Sequence, residues 1–322
     1  MSELSIDLPV GRERRRVVGD VSLSLVKGES LGLVGESGSG KSITSRAILR
    51  VLPRTARVGG NVTYDGSDVY RMGRKQLRAW HASRVAMIYQ DPRAHINPLH
   101  TVGDFITEQL RETAVSRDDA ERRAASLLAQ VGIPDADRRL RQYPHQLSGG
   151  LLQRVMIASS LLCEPEMLIA DEPTTALDVT TQADVVATMN ELRDQRELGL
   201  IFITHDLDLA AAVTNRIAVM YAGTVVEVGT SAAVTTTPRH PYTAGLLRSR
   251  PSAVRKAVLE PIPGRALSSW EVERGCAFAS RCTFATDHCR QQAPQPRQLE
   301  STTVACHRAD ELADQLSLGG ER

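Results

Sequence analysis

Short apolar runs alternate with helical patterns between about Leu23 and Val228. The runs are mostly apolar and five residues long, and they occupy Ser30–Val34, Met167–Asp171, Leu200–Thr204 and Arg216–Met220. Such runs are typical of strands that are buried on both faces, as in a parallel sheet. Helical patterns follow three of them, so the sequence predicts an α/β fold with helices on both faces of the sheet.

The stretch between about Asp91 and Ser160 lacks strand-like runs. Within it, Glu121–Ile133 places apolar residues at helical spacing, which predicts a helical insertion at about 91–160. After about Thr230 several prolines interrupt the pattern, and prolines end regular elements. We therefore predict a sheet domain over 1–232, which carries the insertion, and a small loop-rich extension over 233–322.

Composition and charge exclude several classes of protein. Of the 322 residues, 42% are apolar and 24% are charged, which is ordinary for a globular protein. Lys and Arg number 39 against 38 acidic residues, for a formal net charge of +1, so we expect no nucleic-acid partner. No apolar run approaches the ~20 residues of a membrane-spanning helix, and the N-terminus does not resemble a secretory signal. We expect a cytoplasmic chain whose link to a membrane passes through a partner.

A glycine-rich loop follows the first apolar run. Its sequence, GESGSGKS, fits the pattern G-x-x-x-x-G-K-[ST] between a predicted strand and a predicted helix. Backbone N–H groups of such a loop stabilise phosphate charge. We expect Lys41 to reach the β- and γ-phosphates of a nucleoside triphosphate and Ser42 to bind Mg²⁺. The predicted nucleotide contacts are Gly35, Glu36, Ser37, Gly38, Ser39, Gly40, Lys41, Ser42 and Ile43.

Two carboxylates end the apolar run MLIADE. The carboxyl end of a parallel strand is where α/β sheets place their chemistry. We expect Asp171 to hold Mg²⁺, directly or through water, and Glu172 to polarise the attacking water as a general base.

The segment LSGGLLQRV, Leu147–Val155, lies between these two elements. Ser148 and the two glycines precede a helical run, so Ser148 can cap it and leave N–H donors for an anion. This segment resembles the most specific motif of the ATP-binding subunits of ABC transporters. The resemblance implies a P-loop (RecA-like) core and a head-to-tail dimer. Each ATP would be clamped between one phosphate loop and Ser148, Gly149, Gly150 and Gln153 of the facing subunit.

Other positions match the same family in the same order. Gln90, in MIYQDP, resembles the glutamine that senses Mg²⁺ and the membrane partner. Asp178, in TTALD, resembles the acidic member of the loop across the dimer interface. His205, in LIFITHD, matches the histidine that contacts the γ-phosphate. The resemblance therefore implies that Glu172, His205, Gln90 and Lys41 are catalytic and that Ser42, Gln90 and Asp171 hold Mg²⁺.

The chain departs from the family pattern in the stretch that is expected to bind the adenine base of ATP. The family usually stacks adenine on an aromatic residue before the phosphate loop, whereas Gly11–Arg16 contains none. The alternatives are stacking by an arginine or a loosely held base. We expect the basic run itself to form a solvated loop. Ile43 stands where many relatives carry threonine, and Leu151 and Leu152 replace polar residues.

The C-terminal part resembles the oligopeptide/dipeptide importer branch, in HPYTAGLL and in GCAFASRC. Four cysteines lie in this part, at Cys276, Cys282, Cys289 and Cys306. Four thiolates can bind zinc or an iron–sulfur cluster. Zinc sites usually use closer spacing, and the resemblance implies a [4Fe–4S] cluster. Zinc and unligated or paired thiols remain the alternatives.

The resemblance implies an ATPase subunit that drives peptide uptake from the cytoplasmic face of a cell membrane. Its expected partners are a second ABC ATPase subunit, related rather than identical, two membrane permeases and an extracytoplasmic peptide-binding protein. One alternative changes the cargo to nickel, an antimicrobial peptide or a sugar-linked substrate. Another is a soluble ABC ATPase in translation or DNA repair. A P-loop kinase or GTPase would have no use for LSGGLLQRV.

Overall fold

The computed structural model describes residues 1–110, 115–175, 177–249, 261–272 and 274–317. Its strands are β1 (Ser2–Val10), β2 (Glu13–Val21), β3 (Ser30–Val34), β4 (Arg57–Asn61), β5 (Thr63–Tyr64), β6 (Ser67–Asp68), β7 (Val85–Ile88), β8 (Met167–Asp171), β9 (Gly199–Thr204), β10 (Arg216–Tyr221), β11 (Thr224–Thr230), β12 (Arg297–Leu299) and β13 (Thr302–Val304). Its α-helices are α1 (Lys41–Ile48), α2 (Arg74–Ser83), α3 (Pro92–His95), α4 (Val102–Thr107), α5 (Arg117–Gln130), α6 (Ala136–Leu140), α7 (Gly149–Leu161), α8 (Val179–Arg196), α9 (Leu207–Val213), α10 (Ser231–Thr236), α11 (Pro241–Arg248), α12 (Asp287–Gln291) and α13 (Ala313–Leu316). Short 3-10 turns occupy Val69–Arg71, Glu108–Leu110, Pro144–Gln146 and Ser269–Glu271.

The chain packs into two units that are discontinuous in sequence. The phosphate-loop unit contains Met1–Ser24, Leu31–Arg71 and the chain from Thr204 onward. The helical unit contains Leu25–Ser30 and Met72–Ile203. The residues on both sides of the predicted boundary at 232 belong to the phosphate-loop unit.

An antiparallel sheet in the order β2-β1-β4 begins the phosphate-loop unit. In β1, the buried Leu4 and Ile6 alternate with polar residues, which is a strand pattern of period two. The prediction of a solvated loop for the basic run is wrong, because β2 starts at Glu13 and pairs with β1. The arginines stay on the exposed side of this pairing, where Arg16 Nε donates to Asp7 Oδ1 at 2.6 Å.

A second sheet of the same unit has the order β12-β13-β11-β10-β3. β3 and β10 are parallel, with Leu33 opposite Ala218, and the remaining pairs are antiparallel. The extension therefore contributes the hairpin β12–β13 to the sheet, although the sequence predicts only loops there. Both strands are three residues long and largely polar, so they carry too little pattern to predict.

Three aromatic rings form the core that joins this sheet to the extension. Tyr221, at the end of β10, lies 4.7 Å from Tyr242 and 5.2 Å from Phe278 between ring centroids. Tyr242 and Phe278 are 5.3 Å apart. All three side chains are buried, so the extension is packed onto the sheet by apolar contact.

The helical unit contains the parallel strands β9-β8-β7, in that order. Ile169 of β8 lies opposite Met87 and Ile201 in the neighbouring strands. Between β7 and β8 the described residues form α3 to α7 and two 3-10 turns, in the stretch where the sequence predicts a helical insertion. The predicted α/β class is confirmed. In the described part of the chain, no helix combines the length and apolarity that crossing a bilayer requires.

Candidate nucleotide-binding and hydrolysis site

The phosphate loop runs from Gly35, directly after β3, to Gly40, the residue before α1. Gly40 has φ +102°, a left-handed conformation that disfavours any other residue. A Cβ on Gly35 would lie 2.1 Å from the Met220 carbonyl oxygen. Only glycine therefore permits this close approach between the loop and β10.

Lys41 lies inside the loop. Its Nζ donates to the carbonyl oxygens of Gly35 at 2.7 Å and of Glu36 at 3.0 Å, and the residue is 5% exposed. The hydroxyl of Ser39 is also buried, and within the described residues it has no hydrogen-bond partner. A confined ammonium group and an unsatisfied hydroxyl suit phosphate oxygens, because both can donate to an anion.

Residues of the C-terminal extension form hydrogen bonds with the phosphate loop. Arg281 Nη1 and Nη2 donate to the Glu36 carboxylate at 2.6 and 3.1 Å. The Glu36 N–H donates to the Tyr242 hydroxyl at 2.9 Å. Burial alone would lower the pKa of the Arg281 guanidinium. Its hydrogen bonds to Glu36 and Tyr221 outweigh that effect, so the pKa is raised overall. This contact could not be predicted from the sequence, because Glu36 and Arg281 are 245 positions apart.

An aromatic side chain lies beside β2, the strand that contains the arginines. The 3-10 turn Ser269–Glu271 packs on β2, with the Ser269 hydroxyl hydrogen-bonded to the Arg16 carbonyl. Trp270, in the middle of this turn, is 38% exposed. Arg14 donates to the Thr55 carbonyl at 2.7 Å. Both alternatives for adenine, stacking by an arginine and a loosely held base, stay predictions.

His205 lies in the loop between β9 and α9, and it is exposed. The next residue, Asp206, is fixed by two contacts: its N–H donates to Thr204 Oγ1 at 3.0 Å, and its carboxylate caps α9. The contact of His205 with a phosphate stays a prediction.

In the helical unit, the structure brings Gln90 and Glu172 together. They follow the neighbouring parallel strands β7 and β8, and Gln90 Nε2 donates to Glu172 Oε2 at 2.9 Å. Thr175 Oγ1 donates to the same carboxylate oxygen at 2.9 Å. Asp171 precedes Glu172 and is buried. Thr175 was not among the predicted site residues, although its position three residues after Glu172 is a spacing at which a hydroxyl can bond back within a turn.

Glu172 has a left-handed backbone with φ +46°. Non-glycine residues rarely adopt this conformation, and it persists where the surroundings fix it. The Glu172 N–H donates to the Ile203 carbonyl at 2.9 Å, so the backbone is held as well as the carboxylate. An oriented carboxylate is what a general base requires.

Ser148 is the N-cap of α7, as predicted from its position. Its hydroxyl accepts from the Leu151 N–H at 3.3 Å, and Gly149 and Gly150 form the first turn. A Cβ on Gly149 would meet no atom within 4 Å, so the helix end is open at this residue. The Gln153 side chain, by contrast, is buried within the helical unit, with 2% of the residue exposed.

The N-terminus of α8 adjoins that of α7. A Cβ on Gly150 would lie 2.9 Å from Thr181 Cγ2. Asp178 caps α8 and accepts from the N–H and the hydroxyl of Thr181 at 3.0 and 2.7 Å. These hydrogen bonds, the one from the Thr181 N–H first, lower the pKa of the Asp178 carboxyl. The residues that the resemblance assigns to a dimer interface thus lie together on one unit.

The four C-terminal cysteines line one cavity, Cys276, Cys282, Cys289 and Cys306. The Cys276 N–H donates to the Cys289 carbonyl at 2.8 Å, so two of the segments are joined by backbone. Burial raises the pKa of the Cys276 thiol to about 11 and that of Cys306 to about 12. All are free thiols, and no three described His, Cys, Asp or Glu side chains are placed to hold one metal ion.

Two family descriptions match the chain. Residues 18–175 match "ABC transporter", and residues 226–289 match "Oligopeptide/dipeptide transporter, C-terminal region". The chain is 44% identical over 305 residues to the "Probable peptide ABC transporter ATP-binding protein y4tR" of Sinorhizobium fredii. The aligned region covers 93% of this chain and 91% of that protein. It is 45% identical over 296 residues to the "Dipeptide transport ATP-binding protein DppD" of Escherichia coli, and this aligned region covers 91% of this chain and 90% of that protein.

A solved structure shares the fold of the core. It is described as the dimeric structure of a post-hydrolysis state of the ATP-binding cassette MJ0796 bound to ADP and Pi. The TM-score is 0.63 at 25% sequence identity, with 71% of this chain and 97% of that chain covered. The similarity thus spans almost all of the solved cassette and leaves part of this chain outside it.

Proposed function

The chain belongs to the family of ABC transporter ATP-binding subunits with an oligopeptide/dipeptide transporter C-terminal region, and we propose that it powers the uptake of di- or oligopeptides. As a member of this family it is an ATPase. The observation that carries the peptide cargo is the match of residues 226–289, together with relatives named for peptide transport over more than nine-tenths of the chain.

In this proposal, ATP binds to the phosphate loop, where the backbone N–H groups and Lys41 stabilise the phosphate charge. Glu172 is the general base for the attacking water, and its hydrogen bonds from Gln90 and Thr175 support that role because they orient the carboxylate. Ser42, Gln90 and Asp171 stay the predicted Mg²⁺ ligands, and His205 stays the predicted γ-phosphate contact. Mg²⁺ would neutralise phosphate charge.

The nucleotide site is completed by a second ATPase subunit. Ser148, Gly149 and Gly150 support this proposal, because they form an open helix end that suits an anion. Asp178 caps the neighbouring helix and would belong to the same interface. We propose that the partner is a related subunit, with a second copy of this chain as the alternative.

The proposed complex lies on the cytoplasmic face of the membrane, where ATP is available. Two permease subunits would anchor the ATPase and form the path for the peptide, and an extracytoplasmic protein would deliver it. Cargo specificity would then lie outside this chain. Nickel, antimicrobial peptides and sugar-linked substrates remain the alternative cargoes.

Reconstitution tests the cargo. We expect proteoliposomes that contain this chain, its partner ATPase and the two proposed permease subunits to accumulate a labelled dipeptide when ATP and the binding protein are supplied. The same vesicles with Glu172→Gln are the control and should not accumulate it. Uptake of nickel or a glycoside without any peptide would contradict the peptide assignment. Copurification with ribosomes or DNA instead of permeases would contradict a transport role.

We also propose that Cys276, Cys282, Cys289 and Cys306 hold a [4Fe–4S] cluster. The donor set fits, because four free thiols line one cavity and four thiolates are the usual ligands of such a cluster. Zinc has less support, since the described residues offer no compact group for one ion. When bound, the cluster would crosslink the loops of the extension, which is too small to depend on its own core.

Anaerobic purification tests the cluster. We expect a brown protein that contains iron and sulfide in equal amounts. Cys282→Ser should lose most of this iron, whereas Cys163→Ser should keep it, because Cys163 lies outside the four-cysteine cavity. Zinc alone, or wild-type protein free of both metals after anaerobic purification, would reject the cluster.

A further inference from the structure

Glu36, the second residue of the phosphate loop, is held through three of its groups. Its carboxylate accepts from Arg281, its N–H donates to Tyr242, and its carbonyl accepts from Lys41 Nζ at 3.0 Å. Two of these contacts come from the extension, and the third comes from the lysine that the phosphate-binding motif requires. The extension is therefore tied to the residue that also positions Lys41.

Arg281 is itself rigidly placed. Its side chain is 5% exposed, and its Nε donates to the Pro263 carbonyl at 2.7 Å. The guanidinium lies 5.6 Å from the ring centroid of Tyr221 and 5.9 Å from that of Phe278. A planar guanidinium that is packed on aromatic rings and bound at three nitrogens has one available orientation. It can therefore fix Glu36 and not merely neutralise it.

The charge of Glu36 makes this contact important for nucleotide binding. The loop must receive a polyphosphate, and a bare carboxylate at its second residue would repel that ligand. The two-pronged bond from Arg281 offsets the negative charge and holds the carboxylate on the extension. The same bond limits the movement of the Glu36 carbonyl, to which Lys41 is bound.

We propose that Arg281 is a positioning residue of the ATP site, which sets the shape and charge of the phosphate loop through Glu36. The extension is then part of the nucleotide-binding machinery, in addition to any role in the proposed peptide importer. The inference depends on the ATPase activity of the family and not on the cargo or the cluster.

The test is a double-mutant cycle on the full-length chain, with the KM for ATP and kcat measured for each variant. Arg281→Met should raise KM about tenfold and change kcat far less, because the free carboxylate weakens binding. Adding Glu36→Gln should restore most of the affinity, since it removes the uncompensated charge. Arg281→Lys should lie between wild type and Arg281→Met, because a lysine cannot make the two-pronged contact.

Arg290→Met is the matched control, because Arg290 lies in the same extension beside Cys289 and pairs with Asp287 on the surface. It should leave KM unchanged. An unchanged KM in Arg281→Met would overturn the proposal, and so would a loss of affinity that is equally large with and without Glu36→Gln. If Arg281→Met does not fold, Tyr242→Phe removes the hydroxyl that accepts from the Glu36 N–H. It should raise KM about threefold, and no change would equally contradict the proposal.

Discussion

Glu172→Gln is expected to lower ATP turnover by about 10²–10⁴-fold while ATP binding persists. The amide oxygen can still accept the hydrogen bonds that Gln90 and Thr175 donate to the carboxylate, so the local geometry should survive. The amide cannot take a proton from water, so the chemical step should slow by that factor. Steady-state hydrolysis and equilibrium ATP binding, measured on the same preparation, separate the two effects.

A matched glutamate controls for the substitution itself. Glu164 also has a left-handed backbone, with φ +50° against +46° for Glu172, and it lies in the same unit. Glu164→Gln should hydrolyse ATP at the wild-type rate. Near-normal hydrolysis by Glu172→Gln would remove Glu172 from the role of base.

Ser148→Ala is expected to lower turnover roughly tenfold or more, the loss that follows removal of one hydrogen bond to a charged group. In the proposed dimer the Ser148 hydroxyl contacts the nucleotide of the facing subunit. Binding of ATP to the separated chain, which uses its own phosphate loop, should change little. Turnover at high protein concentration and ATP binding at low concentration test these two statements.

The cap of a second helix provides the control, because Ser148→Ala also removes a helix cap at a cost of about 1 kcal/mol. Ser116 caps α5 and accepts from the Asp119 N–H at 3.1 Å, much as Ser148 accepts from Leu151. Ser116→Ala should lose similar stability and keep full turnover. Equal turnover of the two variants would show that Ser148 acts only as a cap.

Features encoded in contiguous residues could be predicted from sequence. The strand, loop and helix around Gly35–Ser42 appear where the pattern places them, because the motif and its flanking elements are local. The N-cap of α7 at Ser148 follows from the residue type and the helical run after it. Neither prediction depends on residues that are distant in the chain.

Features that depend on distant residues could not be predicted. The contact of Glu36 with Arg281 joins positions 245 apart, and neither residue has a local pattern that identifies the other. β2 was missed because consecutive arginines obscure the alternation that its pairing with β1 imposes. Gln90 and Glu172 were each predicted, but their 2.9 Å contact depends on the order of the parallel strands.

The dilution dependence of ATPase activity tests most directly the claim that two subunits share each nucleotide. The per-chain rate of this chain, with its partner subunit if one is required, should fall as both are diluted below the dissociation constant of the dimer. Ser148→Ala should remain slow at every concentration. A full per-chain rate that persists on dilution and survives Ser148→Ala would contradict the account.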